Sequence, residues 1–360
     1  MIFCFGTTLQ NTRAGQVFEE RFERDIPLKK SLPIYLNHRL GNVMIQGWAQ
    51  DRIRVTLSKR MLADTEAQAI QEFRKLDFLT LETAKSFELR VGHAHGADLV
   101  TKMKDEIQSL VQVDLEIKAP YQSNLTVVLG EGKNLKLQEW RGGVNIVGKG
   151  NSLQFFKLYL TEKISVNCLK CATEVRDSRM EGHLLVGSKA VLLNEVDGKK
   201  GLSIDAGNEE IKIENSRGNM NVSSLAGRLN VNQFQGTLHF HSVEGGANLQ
   251  KFSGEVSVQT ETGQVVLDVD QNLSVMNIDT GKSDIQITLP QAFSGGLDLM
   301  SLHGEIIVQF PYTQIQVAND AYGPASLGRV EGYIGKSHAQ RLHAYSKQGG
   351  IRILRKSGAR

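Results

Sequence analysis

Between Leu202 and Leu267 an apolar–polar–apolar triplet returns every nine residues, and the four residues after each triplet are mostly polar. Leu202-Ser-Ile204 and Ile211-Lys-Ile213 open the series. Met220-Asn-Val222, Leu229-Asn-Val231, Leu238-His-Phe240, Ala247-Asn-Leu249, Val256-Ser-Val258 and Val265-Val-Leu267 continue it. From Gly218 onward a glycine stands two positions before each triplet; Lys200 and Glu209 hold that place in the first two units. Alternation with a period of two sends both apolar side chains to one face of an extended strand and the residue between them to the other. The outward centres are then Ser203, Lys212, Asn221, Asn230, His239, Asn248, Ser257 and Val266.

A strand this short buries too little apolar surface to stand alone, so units of one period are expected to stack and pair with the units above and below. Each buried Val, Leu or Ile contributes roughly 1.5–3 kcal/mol, so two per unit hold such a stack. The pattern predicts an all-β chain, a single-stranded β-helix or β-solenoid with strands at nine-residue intervals. Leu225, Phe234, Val243 and Phe252 follow their triplets at equivalent places and are expected to turn inward at corners. Two sides per turn of the chain would use 18 residues and three would use 27. The bulk of Phe234, Phe240 and Phe252 favours three.

The same triplets reach back to Leu125-Thr-Val127, Leu135-Lys-Leu137, Val144-Asn-Ile146 and Leu153-Gln-Phe155, drift between 156 and 200, and loosen after 268. This divides the chain into a loose N terminus (1–14), a β-rich cap with one helix (15–119), the repeat (120–310), and an irregular C-terminal cap ending in a strand (311–360). In the first cap, Val17–Phe22, Leu32–Leu36, Asn42–Ile45, Arg52–Leu57, Leu79–Leu81, Phe87–Val91 and Val111–Ile117 read as strands. Residues 64–76 read as a helix with Asp64 as N-cap and Ile70, Phe73 and Phe78 on or near its apolar face. His93–Ser109 fits either a polar loop or a short helix.

The Gly-x-Φ-x-Φ ladder, preceded by Gly41-Asn-Val-Met-Ile45 and Arg52-Ile-Arg-Val55 and closed by Gly350-Ile-Arg-Ile353, resembles the bacterial putative-adhesin family of β-solenoid proteins. The resemblance implies a non-catalytic interaction scaffold of the cell envelope or surface. Its partner would be a protein or a surface glycan. The alternatives are a carbohydrate-active β-helix enzyme and a structural β-helix that polymerises end to end.

Composition adds mainly exclusions. A net charge of +3 gives no reason to expect nucleic acid, and no apolar run reaches the ~18 residues of a membrane span. No export signal is read at Met1–Gly6, which leaves the compartment open. Cys168-Leu-Lys-Cys171 is the one CxxC; with no second ligand pair and a strand context, it reads as two ordinary strand and turn cysteines. His239 and His241 are expected to face outward without a metal, and His93 and His95 likewise. Gly245-Gly-Ala-Asn-Leu-Gln250 lacks the third glycine and the aspartate of a calcium-binding nonapeptide. Gly130-Glu-Gly-Lys133 lacks the spacing of a phosphate loop and reads as a turn. The carboxylates keep no fixed place in the unit, and aromatic residues make up only 6% of the chain. No catalytic, cofactor-binding or metal-binding residue is therefore assigned, and an enzyme is not expected.

Overall fold

The structure is a computed structural model that describes residues 15–28, 32–93, 111–187, 189–310, 313–319, 328–335 and 340–356. The loose N terminus expected for 1–14, and most of the ambiguous stretch 93–109, lie outside the described residues. The described chain is all-β: its strands join in one 26-stranded sheet, accompanied by a single helix. In the repeat the strands are parallel and form two ranks. In the first rank Ile211 pairs with Leu229, Leu229 with Ala247 and Ala247 with Val265. In the second, Met220 pairs with Leu238 and Leu238 with Val256. The pairing step is thus 18 residues, two units rather than the three favoured from the phenylalanines. Phe240 is accommodated within a rank, and Phe234 and Phe252 in the bend that joins the ranks.

Every inward residue of the triplets from Leu202 to Leu267 is buried, and every outward centre is at least partly exposed. Both ranks feed one hydrophobic core that extends from Leu28 to Ile353.

Successive nine-residue units are joined by two different corners. At the first, the bend from rank one to rank two, pairing continues through the corner: Ser216 pairs with Phe234 and Phe234 with Phe252. One residue per bend takes a left-handed conformation, namely Glu139, Lys157, Asp177, Glu195, Asn215, Gln233 and Lys251, with φ between 44° and 61°. The residue after it points inward and is buried, giving a column of Trp140, Leu158, Ser178, Val196, Ser216, Phe234 and Phe252. Phe234 and Phe252 stack with ring centroids 5.6 Å apart and planes inclined by 11°. Where serine replaces the apolar plug it is satisfied locally. The Ser216 hydroxyl donates to Glu214 O at 2.6 Å and accepts from Val196 N at 3.1 Å.

The second corner, the turn from rank two back to rank one, is closed by hydroxyls. Ser224, Ser242, Thr260, Thr280, Ser301 and Ser346 are all buried in register. In four of them the hydroxyl accepts the N–H of the residue three positions on: Gly245 N to Ser242 at 2.8 Å, Gly263 N to Thr260 at 3.1 Å, Gly304 N to Ser301 at 2.8 Å and Gly349 N to Ser346 at 2.8 Å. In these four turns the glycine has a steric reason, since a Cβ on Gly245 would lie 2.1 Å from Gly227 O in the level below. Of the four residues expected to turn inward, Phe234 and Phe252 at bends do so. Leu225 and Val243 sit at turns and are 56% and 43% exposed, because the neighbouring serine takes the interior place.

The drift between 156 and 200 and the loosening after 268 share a cause. Leu153 to Ile164, Val191 to Leu202 and Val265 to Met276 each span eleven residues instead of nine, and each of these intervals crosses a bend. From Val144 to Ile285 the turns keep a spacing of nine.

At both ends the order of levels in the stack departs from the order in the chain. Ile34–His38 and Val43–Trp48 are held between Phe87–His93 and Val111–Pro120 on one side and Leu125–Leu129 and Asn134–Gln138 on the other. At the far end Gln340–Ser346 and Ile351–Arg355 lie between the level of 276–289 and the level of Gly295–Ser301 and Ile306–Gln309. The late segment Leu342-His-Ala-Tyr-Ser346-Lys-Gln-Gly349 repeats the arrangement of Leu238-His-Phe-His-Ser242-Val-Glu-Gly245, so it has the sequence of an internal level. Antiparallel strands finish the stack. Arg52–Ala63 lies on Val111–Pro120 and Gln16–Pro27 on Arg52–Ala63, while Gly328–Ile334 lies on Gly295–Ser301 and Thr313–Asn319 on Gly328–Ile334. Gln16–Pro27 is rich in charge, and its Asp25 and Glu20 pair with Arg54 and Lys59, as suits an edge strand.

The helix runs over Glu66–Phe73, shorter than the 64–76 expected, and its N-cap is Thr65 rather than Asp64. The Thr65 hydroxyl accepts from Gln68 N at 3.3 Å. Ala69 and Phe73 form its buried face and Ile70 is 39% exposed. The helix ends early because Leu76–Glu82 is drawn into an antiparallel pair with Phe87–His93.

Candidate functional site

Two recesses on the stack bring polar side chains together. The first lies on the outer face of rank two, where in-register pairing sets His183, Ser203, Asn221, His239 and Ser257 in one column and Asp205, Ser223, His241 and Gln259 in the next. Parallel strands lie about 4.8 Å apart, so these columns are continuous rows of hydrogen-bonding groups. They line a shallow groove of about 520 Å³. His239 and His241 both face outward, as alternation requires.

Within this groove Asp205 receives two partners. His183 Nε2 lies 2.6 Å from Asp205 Oδ2, and the Ser223 hydroxyl donates to Asp205 Oδ1. These three residue types also make up hydrolytic triads, but there the imidazole stands between the carboxylate and the hydroxyl. Here the carboxylate stands between them, and the serine hydroxyl donates to it rather than to an imidazole.

The second recess, of about 790 Å³, lies at the bends between residues 160 and 235. Asp197 forms its base and is only 9% exposed. Asp197 Oδ2 accepts from Arg179 Nε at 3.3 Å and from Arg217 Nε and Nη2 at 3.3 and 3.1 Å. Register explains the grouping, because Arg179, Asp197 and Arg217 occupy the same place in three consecutive strands. A smaller recess on the other side of the same ion pairs, about 240 Å³, includes Tyr159. The Tyr159 hydroxyl donates to Asp177 at 2.9 Å, and this bond raises its pKa above the usual phenol value. Arg179, Asp197 and Arg217 were not singled out in the sequence. The 18- and 20-residue spacing that aligns them becomes meaningful only once the pairing step is known.

The CxxC expectation is corrected in part. Cys168 and Cys171 are both in strand and turn territory, but they form a disulfide and are fully buried. Through Gly148–Cys168 pairing, Cys168 falls in the column held elsewhere by serine and threonine, and Cys171 takes the place of the turn glycine. The disulfide closes covalently a turn that other levels close with a hydroxyl. Gly130–Lys133 is a turn, with Gly132 at φ +71°. Among the described residues no group of three or more His, Cys, Asp or Glu is placed to hold a metal ion, and no helix is long and apolar enough to cross a membrane. The His93 side chain and His95 lie outside the described residues, as does Cys4.

His38 occupies the turn column near the N-terminal end, since it pairs with Leu129. It is buried, with Nε2 2.8 Å from Val113 O, and its Nδ1 has no hydrogen-bond partner among the described residues. Burial opposes charging of the ring and lowers its pKa to about 4. The Nε2–H tautomer, donating to Val113 O, satisfies the contact.

No protein-family model matches the chain, and no curated protein matches it. Among solved structures the chain is similar, at 10% identity, to a putative cell adhesion protein from Clostridium sporogenes. The match covers 94% of this chain and 100% of the other, with a TM-score of 0.21.

Proposed function

We propose that this chain is a non-catalytic binding scaffold, in which the two ranks wind as a two-sided β-solenoid and the outer face of rank two meets another macromolecule. The observation that carries the reading is the composition of that face. Ser203, Asn221, His239, Ser257, Ser223, His241 and Gln259 present hydrogen-bonding groups in rows on paired strands. The central carboxylate, Asp205, is taken up by His183 and Ser223 in an order that does not support nucleophilic attack. Such a surface binds by many small polar contacts. The adhesin-like resemblance of the ladder points the same way, to a surface or envelope interaction protein with a protein or glycan partner. The charge-rich outer strand Gln16–Pro27 favours a discrete scaffold over end-to-end polymerisation, because charge along an edge strand opposes pairing with a second copy.

The test is retention without conversion. The purified protein, immobilised on beads, is passed over a panel of neutral and acidic oligosaccharides and the eluted material is weighed by mass spectrometry. Retained ligands that elute unchanged, and that are released when His239 and His241 are both replaced by alanine, support the reading. Shortened or desaturated products would overturn it.

A further inference from the structure

The larger recess has a structural origin that suggests what it holds. Two of the three bend insertions lie two levels apart, one across residues 158–163 and one at Gly198–Gly201. The level between them, Ala172–Arg179 followed by Gly182–Gly187, carries none. The uninserted bend, with Arg179 and Met180, therefore lies between two longer ones, and all three bends line the recess.

Charge within the recess is uneven. Arg179 and Arg217 share one carboxylate, Asp197, and Lys200 is exposed on the second insertion with no hydrogen-bonded partner among the described residues. Arg179, Arg217 and Lys200 line the recess together with Asp197, Glu162 and Glu181, and Lys163 beside Glu181 adds a fourth cation at its edge. Glu181 is paired with Lys163 Nζ at 3.7 Å, whereas Glu162 accepts from the neutral Asn124 Nδ2 at 3.0 Å and keeps its charge. Arg179 meets Asp197 through Nε in the contacts above and Arg217 through Nε and Nη2, so the buried carboxylate holds both guanidiniums. A guanidinium held in this way presents a planar fork of N–H groups that matches a carboxylate.

The recess also opens onto the outer face of rank two. Glu181, Gly218 and Gln235 line the recess, while His183, Asn221 and His239, two to four residues further along the same strands, line the groove. A ligand anchored by charge at the bend would continue across Asn221, His239 and Ser257, groups suited to hydroxyls as donors or acceptors. We propose that the bend recess binds a carboxylate of an acidic oligosaccharide, a uronate chain, through Arg179, Arg217 and Lys200, with the rest of the sugar lying along the rank-two groove. This assignment rests on the scaffold reading above.

A matched pair of probes tests it: a β-1,4-linked glucuronate hexamer and cellohexaose, which differ only at the C6 carboxylate. Calorimetric titration should show the glucuronate hexamer binding at least about tenfold more tightly than cellohexaose, with affinity falling as salt is raised. Arg179→Gln with Arg217→Gln should erase that preference. Because this pair uncovers Asp197 and risks the fold, Lys200→Gln provides an independent variant outside the ion pairs, expected to weaken the glucuronate hexamer about threefold at an unchanged melting curve. Equal binding of the two hexamers, no binding of either, or undiminished glucuronate binding in Lys200→Gln would overturn the recess. Binding of cellohexaose alone, lost with His239→Ala, would overturn the recess yet leave the scaffold reading standing. Arginine-dependent binding with a shortened glucuronate product would do the reverse.

Discussion

The bend and the turn solve the same problem, reversing a strand into the neighbouring rank, with opposite materials. The bend is plugged from inside by side chains such as Phe234 and Phe252, and its backbone pairing resumes directly after the one left-handed residue. The turn is tied by a buried hydroxyl to an amide three residues on, with a glycine packed against the level beneath. A plug is indifferent to what loops outside it, whereas a tie of fixed length is not. All three two-residue insertions accordingly fall at bends, and it is at bends that the chain acquires a recess. The more rigidly specified corner is the one left featureless.

The sharpest way to break this contrast is to lengthen both corners. A Gly-Ser insertion between Val243 and Glu244 should remove the tie from Ser242 to Gly245 and abolish cooperative unfolding in urea. The same insertion between Gln235 and Gly236 should cost about 1 kcal/mol, read from the urea midpoint; equal losses would end the distinction. Next in size, Phe252→Ala should remove about 3–5 kcal/mol by emptying the bend. Its turn counterpart Thr260→Val should remove about 1–3 kcal/mol, because the Gly263 amide loses its acceptor.

His38 extends the comparison to pH. Its folded pKa, about 4, lies below the ordinary value of 6.5. The unfolded chain therefore gains a proton below pH 6.5 that the folded chain refuses until about pH 4. Stability falls as pH drops through that window and levels off beneath it. The expected loss is about 3 kcal/mol. His38→Gln, which keeps an N–H for Val113 O, should remove that part of the pH dependence in denaturant midpoints measured from pH 7 to 4. The smallest effect belongs to the covalent turn. Cys168→Ser with Cys171→Gly recreates the hydroxyl tie in place of the disulfide, and a four-residue loop gains little from cross-linking. The double variant should melt within about 1 kcal/mol of the parent, whereas Cys168→Ala with Cys171→Ala should fall further.

Much of this architecture was legible because alternation is a local property. Leu229 and Val231 inward with Asn230 outward follows from period two alone, as does the outward placement of His239 and His241. The unit length was legible too, but not the pairing step. Nine residues fix one side, and the distinction between Gly236, which needs φ +139°, and Gly245, which needs the absence of a Cβ, is invisible to a pattern that reads both as glycine. Reading Ser224, Ser242 and Thr260 together with the glycine three places on reveals an 18-residue repeat. That signal is polar, so a search for apolar positions passes over it. The same oversight let Cys168 and Cys171 look like ordinary cysteines, although they stand at the serine and glycine places of the turn. The bend recess was harder still. Arg179, Asp197 and Arg217 meet only through pairing across levels, and no local pattern joins them.

The displaced levels at the two ends also set an order of assembly. A chain emerging from its N terminus can build rung upon rung from Leu125 to about Ile285, each rung using what was made just before it. The segment from Gln340 to Arg355 then has to enter between rungs laid down by 276–289 and by 295–309, both synthesised earlier. Until it arrives, two rows of backbone amides and carbonyls stand open to any extended strand nearby. The last part of this stack to be made is a keystone rather than a tail, and the interval before it seats is when the molecule is most exposed to wrong partners.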